Sequence, residues 1–262
     1  MSLDLDSRQR AMLQEMGVRV WWPEAVPVPV PVSATAIPAL VTPMAPVTLT
    51  TSVEVKPGAS NALADDIATM PWDALSQAIA QCQACGQCQG RRAPIFAGSA
   101  ALRHAEWMVL GEPPDDNEER LGTPFVGPAG QLLDNMLKAV GVQRTGVDGH
   151  AAYLSNVVKC RPAAARNPQP QDLATCENYL RREVALVQPK VILALGRFAA
   201  QALLLASVPD VATIPLGKLR GQVYRYQGVP VIVSYPPAYL LRTPQDKARA
   251  WADWCLALSA LS

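Results

Sequence analysis

A three-layer α/β/α sandwich around a central, mostly parallel four-stranded sheet is the fold that the sequence predicts. Four short apolar runs carry this expectation: Glu106 to Leu110, Ala152 to Val158, Lys190 to Leu195 and Val229 to Ser234. Each run is followed by helical sequence, at Gln131–Val140, Asp172–Val187, Arg197–Ala206 and Asp246–Leu261. Strands that alternate with helices pack as a parallel sheet covered on both faces. With 262 residues, half of them hydrophobic, the chain can bury one sizeable core and carry appendages besides. The net charge of +1 excludes a global electrostatic field for nucleic acid, so any such contact must come from local clusters.

The chain opens with LDLDSRQRAMLQEMG (residues 3–17), a short helix with an uneven apolar face, followed by Val18 to Trp22. A helix this short is marginal alone. Two tryptophans on a tail imply either a fold-back onto the body or a docking peptide, and both readings stand. The segment 23–61 is rich in Pro, Val and Ala, and its PVPVPVPV run favours an extended, semi-rigid linker. Residues 25–53 carry no charge, yet Pro27, Pro29, Pro31, Pro38, Pro43 and Pro46 exclude a membrane-spanning helix. MSLDLDSRQR is acidic and polar where a signal peptide needs an apolar core, so a soluble, cytoplasmic protein is expected. The main domain is expected from 62 to 262. It starts with one or two helices over Ala62–Cys82 that face the body through Trp72, Leu75, Ile79 and Ala80.

Between the first strand and its helix lies GEPPDDNEERLGTPFVGPAG (Gly111–Gly130). Ligands in open α/β sheets sit beyond the carboxyl ends of the strands, where this loop falls. Gly122, Gly127 and Gly130 permit close backbone approach. Phe125, set between Pro124 and Val126, suits a fixed stacking face. The chain has six cysteines. Cys82-x2-Cys85, with Cys160 and Cys176 from later segments, points to a metal site rather than disulfides in an intracellular chain. Cys88 extends the run, so Cys85 and Cys88 are an alternative pair. Spacing does not fix the metal, and zinc fits the same thiolates. Cys255 is expected to be buried on the last helix.

The pattern from Gly111 to Leu133 resembles the first motif of the family 4 uracil-DNA glycosylases, the iron-sulfur type. The likeness continues in order through SNVVKCRP (Ser155–Pro162), Cys176 with Tyr179-Leu180, PKVILALGRFAA (Pro189–Ala200), KLRGQVY (Lys218–Tyr224) and PAYLLR (Pro237–Arg242). It implies the same fold, a [4Fe-4S] cluster on Cys82, Cys85, Cys160 and Cys176, and excision of uracil from DNA. In the implied site, Phe125 stacks on the base and Asn156 pairs its Watson–Crick edge. Glu112 faces the sugar, and Glu118 crowds the 5-methyl of thymine. Lys159, Arg161, Arg166, Lys218, Arg220 and Arg242 are expected to meet phosphates, and Leu240 and Leu241 to wedge the gap left by the base. A monomer is expected, with uracil-containing DNA as its partner.

Three positions depart from the family pattern. Pro236 replaces the histidine of the last motif, Asp115 replaces the second glycine of the first, and Ala165 replaces an asparagine. The chain's two histidines, His104 and His150, lie outside the motifs. Two readings therefore stand: a glycosylase slowed by the loss of that histidine, and a catalytically degenerate, cluster-bearing DNA-binding or replication-associated module. Separately, RQRAMLQEMGVRVW resembles the psi-subunit peptide of the bacterial clamp loader. That likeness implies docking of residues 1–22 to the chi subunit.

Overall fold

The computed structural model describes residues 66–96, 104–145, 150–162 and 166–261. The expectations for 1–22, 23–61 and Ala165 lie outside the described residues. Five strands form one sheet in the order β2-β1-β3-β5-β4. They are β1 (Trp107–Gly111), β2 (Ala152–Asn156), β3 (Val191–Leu195), β4 (Val223–Tyr226) and β5 (Val229–Ser234). β2, β1, β3 and β5 run parallel, with Leu110 opposite Ser155 and Ala194, and Leu193 opposite Ile232. β1 and β3 are buried throughout, as a parallel strand covered on both faces must be.

The four-stranded expectation is corrected by β4, an edge strand antiparallel to β5. Its residues alternate between exposed and covered positions, so it lacks the continuous apolar run of its neighbours. Gln227 and Gly228, with φ 50° and 83°, make the tight turn that joins the pair. Two left-handed residues match the right-handed twist of a hairpin.

Helices pack on both faces. α4 (Pro170–Val187) and α5 (Arg197–Leu204) cover one side, where Leu173, Leu180 and Leu203 meet Met108, Tyr153 and Ile192. α3 (Gly127–Ala139) and α8 (Lys247–Ser259) cover the other, where Leu133, Leu137 and Trp254 meet Trp107, Val109 and Leu193. Trp107 and Trp254 stack at 6.0 Å between centroids. α1 (Trp72–Gln81), begun by Pro71, buries Leu75 and Ile79 against Tyr179. Ala80 faces solvent instead, and Ala78 packs in its place. Cys255 is also exposed, because α8 turns Ala250, Trp254 and Ala257 inward.

Three short helices come from segments that read as loops: α2 (Asp116–Leu121), α6 (Leu216–Leu219) and α7 (Pro237–Arg242). α3 starts four residues before the expected Gln131. Its Gly127-Pro128 opening looks like a turn, but a proline in the first turn forfeits no helical hydrogen bond. No helix among the described residues is long and apolar enough to cross a membrane.

Candidate active site

The carboxyl ends of β1 and β2 bring Glu112 and Asn156 together. Asn156 is 3 % exposed and donates from Nδ2 to the Glu112 carbonyl at 2.9 Å. Its Oδ1 is buried and has no hydrogen-bond partner among the described residues. The Glu112 carboxylate turns towards the start of α5, where Oε1 accepts the Phe198 N–H at 2.8 Å. Gly196 makes this possible: a Cβ there would lie 2.1 Å from Oε1, and its φ of 116° disfavours any other residue. Burial raises the Glu112 carboxyl to about 7, against the N–H groups of Phe198 and Ala199 and the charge of Arg197. Desolvation outweighs the helix terminus that receives it.

Phe125 is buried beside the end of β1. It adopts φ 55°, a left-handed conformation that costs a non-glycine residue about 1–3 kcal/mol. Its ring lies against Gly111, where a Cβ would come within 2.5 Å of Cζ. Glu118 accepts the Phe125 N–H on Oε1 and the Asp115 N–H on Oε2. Asp115 in turn accepts the Glu118 N–H, closing a reciprocal cap on α2. Asp115, where the family pattern has glycine, is thus tied into a helix start. Glu118, also raised chiefly by burial, holds the loop that carries Phe125. Pro236 stands where α7 begins, with φ −68°, and its carbonyl accepts the N–H groups of Tyr239 and Leu240.

The expected phosphate contacts divide. Lys159 is 2 % exposed and sits inside the protein, donating to Glu183 at 2.7 Å, Ser155 Oγ at 2.6 Å and the Asn156 carbonyl at 3.1 Å. The expectation of a phosphate contact there is corrected, since its charge is already balanced by a buried carboxylate. Leu240 is 1 % exposed, so it belongs to the core and only Leu241, at 43 %, is free to act as a wedge. Arg220 is bound to Asp253 at 2.8 Å and lies over the Tyr235 ring. Arg161 is paired with Glu119 at 2.8 Å. Arg166, Lys218 and Arg242 stand exposed. Arg166 lines a cleft of about 410 Å³ that Glu112, Asp115 and Phe198 also border.

The cysteines gather on the other side of Lys159. Cys82 ends α1, Cys85 begins the turn Gly86–Cys88, Cys160 follows β2 and Cys176 lies on α4. Arg91 donates to Cys160 Sγ at 2.8 Å. Burial raises Cys85 to about 11, and the thiols of Cys160 and Cys82 add to the rise. Burial raises Cys176 to about 12, opposed by the Lys159 N–H that bonds it. Gln87 anchors the turn to Asp172 on α4 at 2.6 Å. Among the described residues, no three Cys, His, Asp or Glu groups converge tightly enough to hold a single metal ion. Two buried thiols, Cys160 and Cys176, and two half-buried ones, Cys82 and Cys85, come from three segments with an arginine and backbone N–H groups turned on their sulfurs. Four such thiols are nevertheless a donor set suited to a thiolate-bound cluster.

A buried carboxyl, an amide with an unmet acceptor and a fixed ring lie near the carboxyl edge of the parallel sheet. The uracil DNA glycosylase superfamily matches residues 98–255. A Type-4 uracil-DNA glycosylase of Archaeoglobus fulgidus is 34 % identical, over 70 % of this chain and 90 % of that protein. One from Thermotoga maritima is 34 % identical over 67 % and 85 %. Another, from Saccharolobus solfataricus, is 30 % identical over 72 % and 86 %. The chain belongs to the uracil-DNA glycosylase superfamily.

Proposed function

We propose that the protein is a uracil-DNA glycosylase that hydrolyses the N-glycosidic bond of uracil in DNA. Relatives named for that activity align over most of their length. The observation that carries the proposal to this chain is the unpartnered, buried Oδ1 of Asn156. An unmet buried acceptor costs about 1–3 kcal/mol. Uracil satisfies it with N3–H, whereas cytosine offers only a lone pair there.

The base leaves the helical stack and lies against Phe125. The bond from C1′ to N1 breaks, its electron pair passes to the base, and positive charge grows on the sugar. Glu112, when ionised, faces that charge and orients water. The water oxygen bonds to C1′, its proton passes to Glu112, and the uracil anion takes up a proton, leaving free uracil and an abasic sugar. Arg166, Lys218 and Arg242 meet the backbone, and Leu241 fills the gap. Pro236 offers no donor to the departing anion. A donor in such a position is worth roughly 3–4 kcal/mol, so excision is slow rather than absent. Abasic sites formed in a uracil-containing single strand, revealed by alkaline cleavage, test the reading. No excision at enzyme excess would leave the second reading, a DNA-binding module, which the loss of the histidine favours.

Cys82, Cys85, Cys160 and Cys176 are the proposed ligands of a [4Fe-4S] cluster, which supplies a structural cross-link when bound. Visible absorbance of anaerobically purified protein separates it from zinc. For residues 1–22, the sequence likeness supports docking to a clamp-loader chi subunit. Pull-down with full-length protein, lost on Trp21→Ala with Trp22→Ala, is the expected result.

A further inference from the structure

Arg144 lies outside every motif, yet it reaches the backbone of Phe125. Its Nη1 donates to the Pro124 carbonyl at 3.0 Å, and its Nη2 to the Phe125 carbonyl at 2.7 Å and the Gly130 carbonyl at 3.2 Å. Nε pairs with Asp134 on α3. The arginine is itself fixed, because Gln143 pairs with Ala151 at the entry to β2 and accepts the Ala152 N–H at 2.9 Å. The fork therefore ties the loop before α3 to the sheet.

The contact is built for close approach. A Cβ on Gly130 would lie 2.0 Å from the Phe125 oxygen and 3.0 Å from Arg144 Nη2. Phe125 is thus gripped at both ends of its residue, by Glu118 at the N–H and by Arg144 at the carbonyl. A left-handed phenylalanine persists only where its surroundings over-determine it. Glu118 alone fixes one end and leaves the peptide plane after Phe125 free to rotate. Three carbonyls on one planar, permanently charged donor remove that freedom, and a lysine's single ammonium cannot reproduce the fork.

We propose that Arg144 is a positioning residue of the base site, holding the Phe125 ring at the angle on which uracil stacks. This rests on the reading of Phe125 as the stacking face. The consequence is specific: loss of Arg144 and loss of the Phe125 ring remove the same interaction, so their effects do not add.

The test uses the full-length chain as wild type, Arg144→Gln, Arg144→Lys, Phe125→Ala and the double variant Phe125→Ala with Arg144→Gln. Three measurements are taken: kcat/KM on a uracil-containing single strand, inhibition by free uracil, and amide exchange of the peptide spanning Phe125. Arg144→Gln is expected to lower kcat/KM roughly tenfold to a hundredfold, the scale of a misplaced contact. Inhibition by free uracil weakens in parallel, exchange rises only in the Phe125 peptide, and Arg144→Lys falls between. The double variant is expected to match Phe125→Ala. Multiplicative losses, or exchange raised throughout the protein, would make Arg144 a general stability residue and overturn the proposal. So would unchanged kinetics with unchanged exchange. Should Arg144→Gln fail to fold, Asp134→Asn, which frees only Nε, is expected to show the same local pattern at smaller size, and no local effect there refutes the proposal. If wild type excises nothing, the glycosylase reading fails by itself, and exchange at Phe125 still decides whether Arg144 holds the ring.

Discussion

Glu112 combines two demands that pull against each other. In the proposed reaction its carboxyl must be dry enough to sit beside a flipped nucleotide and charged enough to face a cationic sugar. Burial raises it to about 7 from the ordinary 4.5. If the anion is the working form, kcat/KM rises with pH to a plateau, with its midpoint near 7, and Glu112→Gln abolishes this limb. The same shift affects stability with the opposite sign. Between about 4.5 and about 7 the folded protein keeps a proton that the unfolded chain has lost, so stability falls as pH rises through that window. Chemical denaturation at the two ends of the window, in wild type and Glu112→Gln, checks it. At Pro236 the expected gain is direct. The φ of −68° suits histidine, and the helix start depends on the Pro236 carbonyl rather than on its ring. Pro236→His is expected to raise the excision rate by up to about a hundred- to thousandfold, the value of one anion donor. A variant with an unchanged rate and an unchanged fold would mean that the ring does not reach the base. Glu112 and Asn156 were legible as candidates because they sit in motifs, and the structure brings them together at the carboxyl ends of β1 and β2. Arg144 was not, because it acts on carbonyl groups, which carry no side-chain signature.

At the scale of elements, the four parallel strands were legible as continuous apolar runs, and the edge strand β4 was not. Val223 and Arg225 face solvent, so only the turn at Gln227-Gly228 marked it. The helices α2 and α7 are six residues each, too short for a periodic face, and α7 starts in prolines. Lys159 shows a different failure. Read along the sequence, a lysine beside Cys160 and Arg161 belongs to a basic cluster. In the fold it points into the layer between β2 and α4, where Glu183 also accepts the Tyr153 hydroxyl at 3.0 Å. Removing one member of a buried ion pair costs about 3–5 kcal/mol, because the other is left charged without a partner. Lys159→Met is therefore expected to lower stability by about that amount, with DNA affinity measured on folded protein little changed. Lys159→Met combined with Glu183→Leu should recover much of the loss. Denaturant unfolding of the single and double variants decides it. Equal loss in both would mean that Glu183 is held by Tyr153 and Ser155 rather than by the lysine.

Taken as a whole, the domain has two unequal bodies of apolar packing around the sheet and a small third one under α1. That third cluster centres on Ile67, Leu75, Ile79 and Tyr179, with Trp72 tilted against Tyr153. It is a small anchor for the segment from 66 to 96. The polar ties that supplement it include Arg182 to the Met70 carbonyl at 2.6 Å, Gln87 to Asp172, Arg91 to Cys160, the Arg92 N–H to Glu119 at 2.9 Å and the Ile95 N–H to the Lys159 carbonyl at 2.6 Å. The cysteines bridge this same seam, because Cys82 and Cys85 lie on the segment while Cys160 and Cys176 lie on the sheet body. A cluster on those four would cross-link the first layer to the rest. Its loss should then loosen the segment first and leave the sheet folded. Limited proteolysis before and after chelator treatment under oxidation is expected to cut between 82 and 96 only in the stripped protein, with 104–261 surviving longer. Serine variants add the ligand assignment. Cys82→Ser, Cys85→Ser, Cys160→Ser and Cys176→Ser should each lower visible absorbance, and Cys88→Ser should leave it intact. If Cys88→Ser bleaches the protein and Cys82→Ser does not, the pair is Cys85 and Cys88, and the cross-link begins one turn later than proposed.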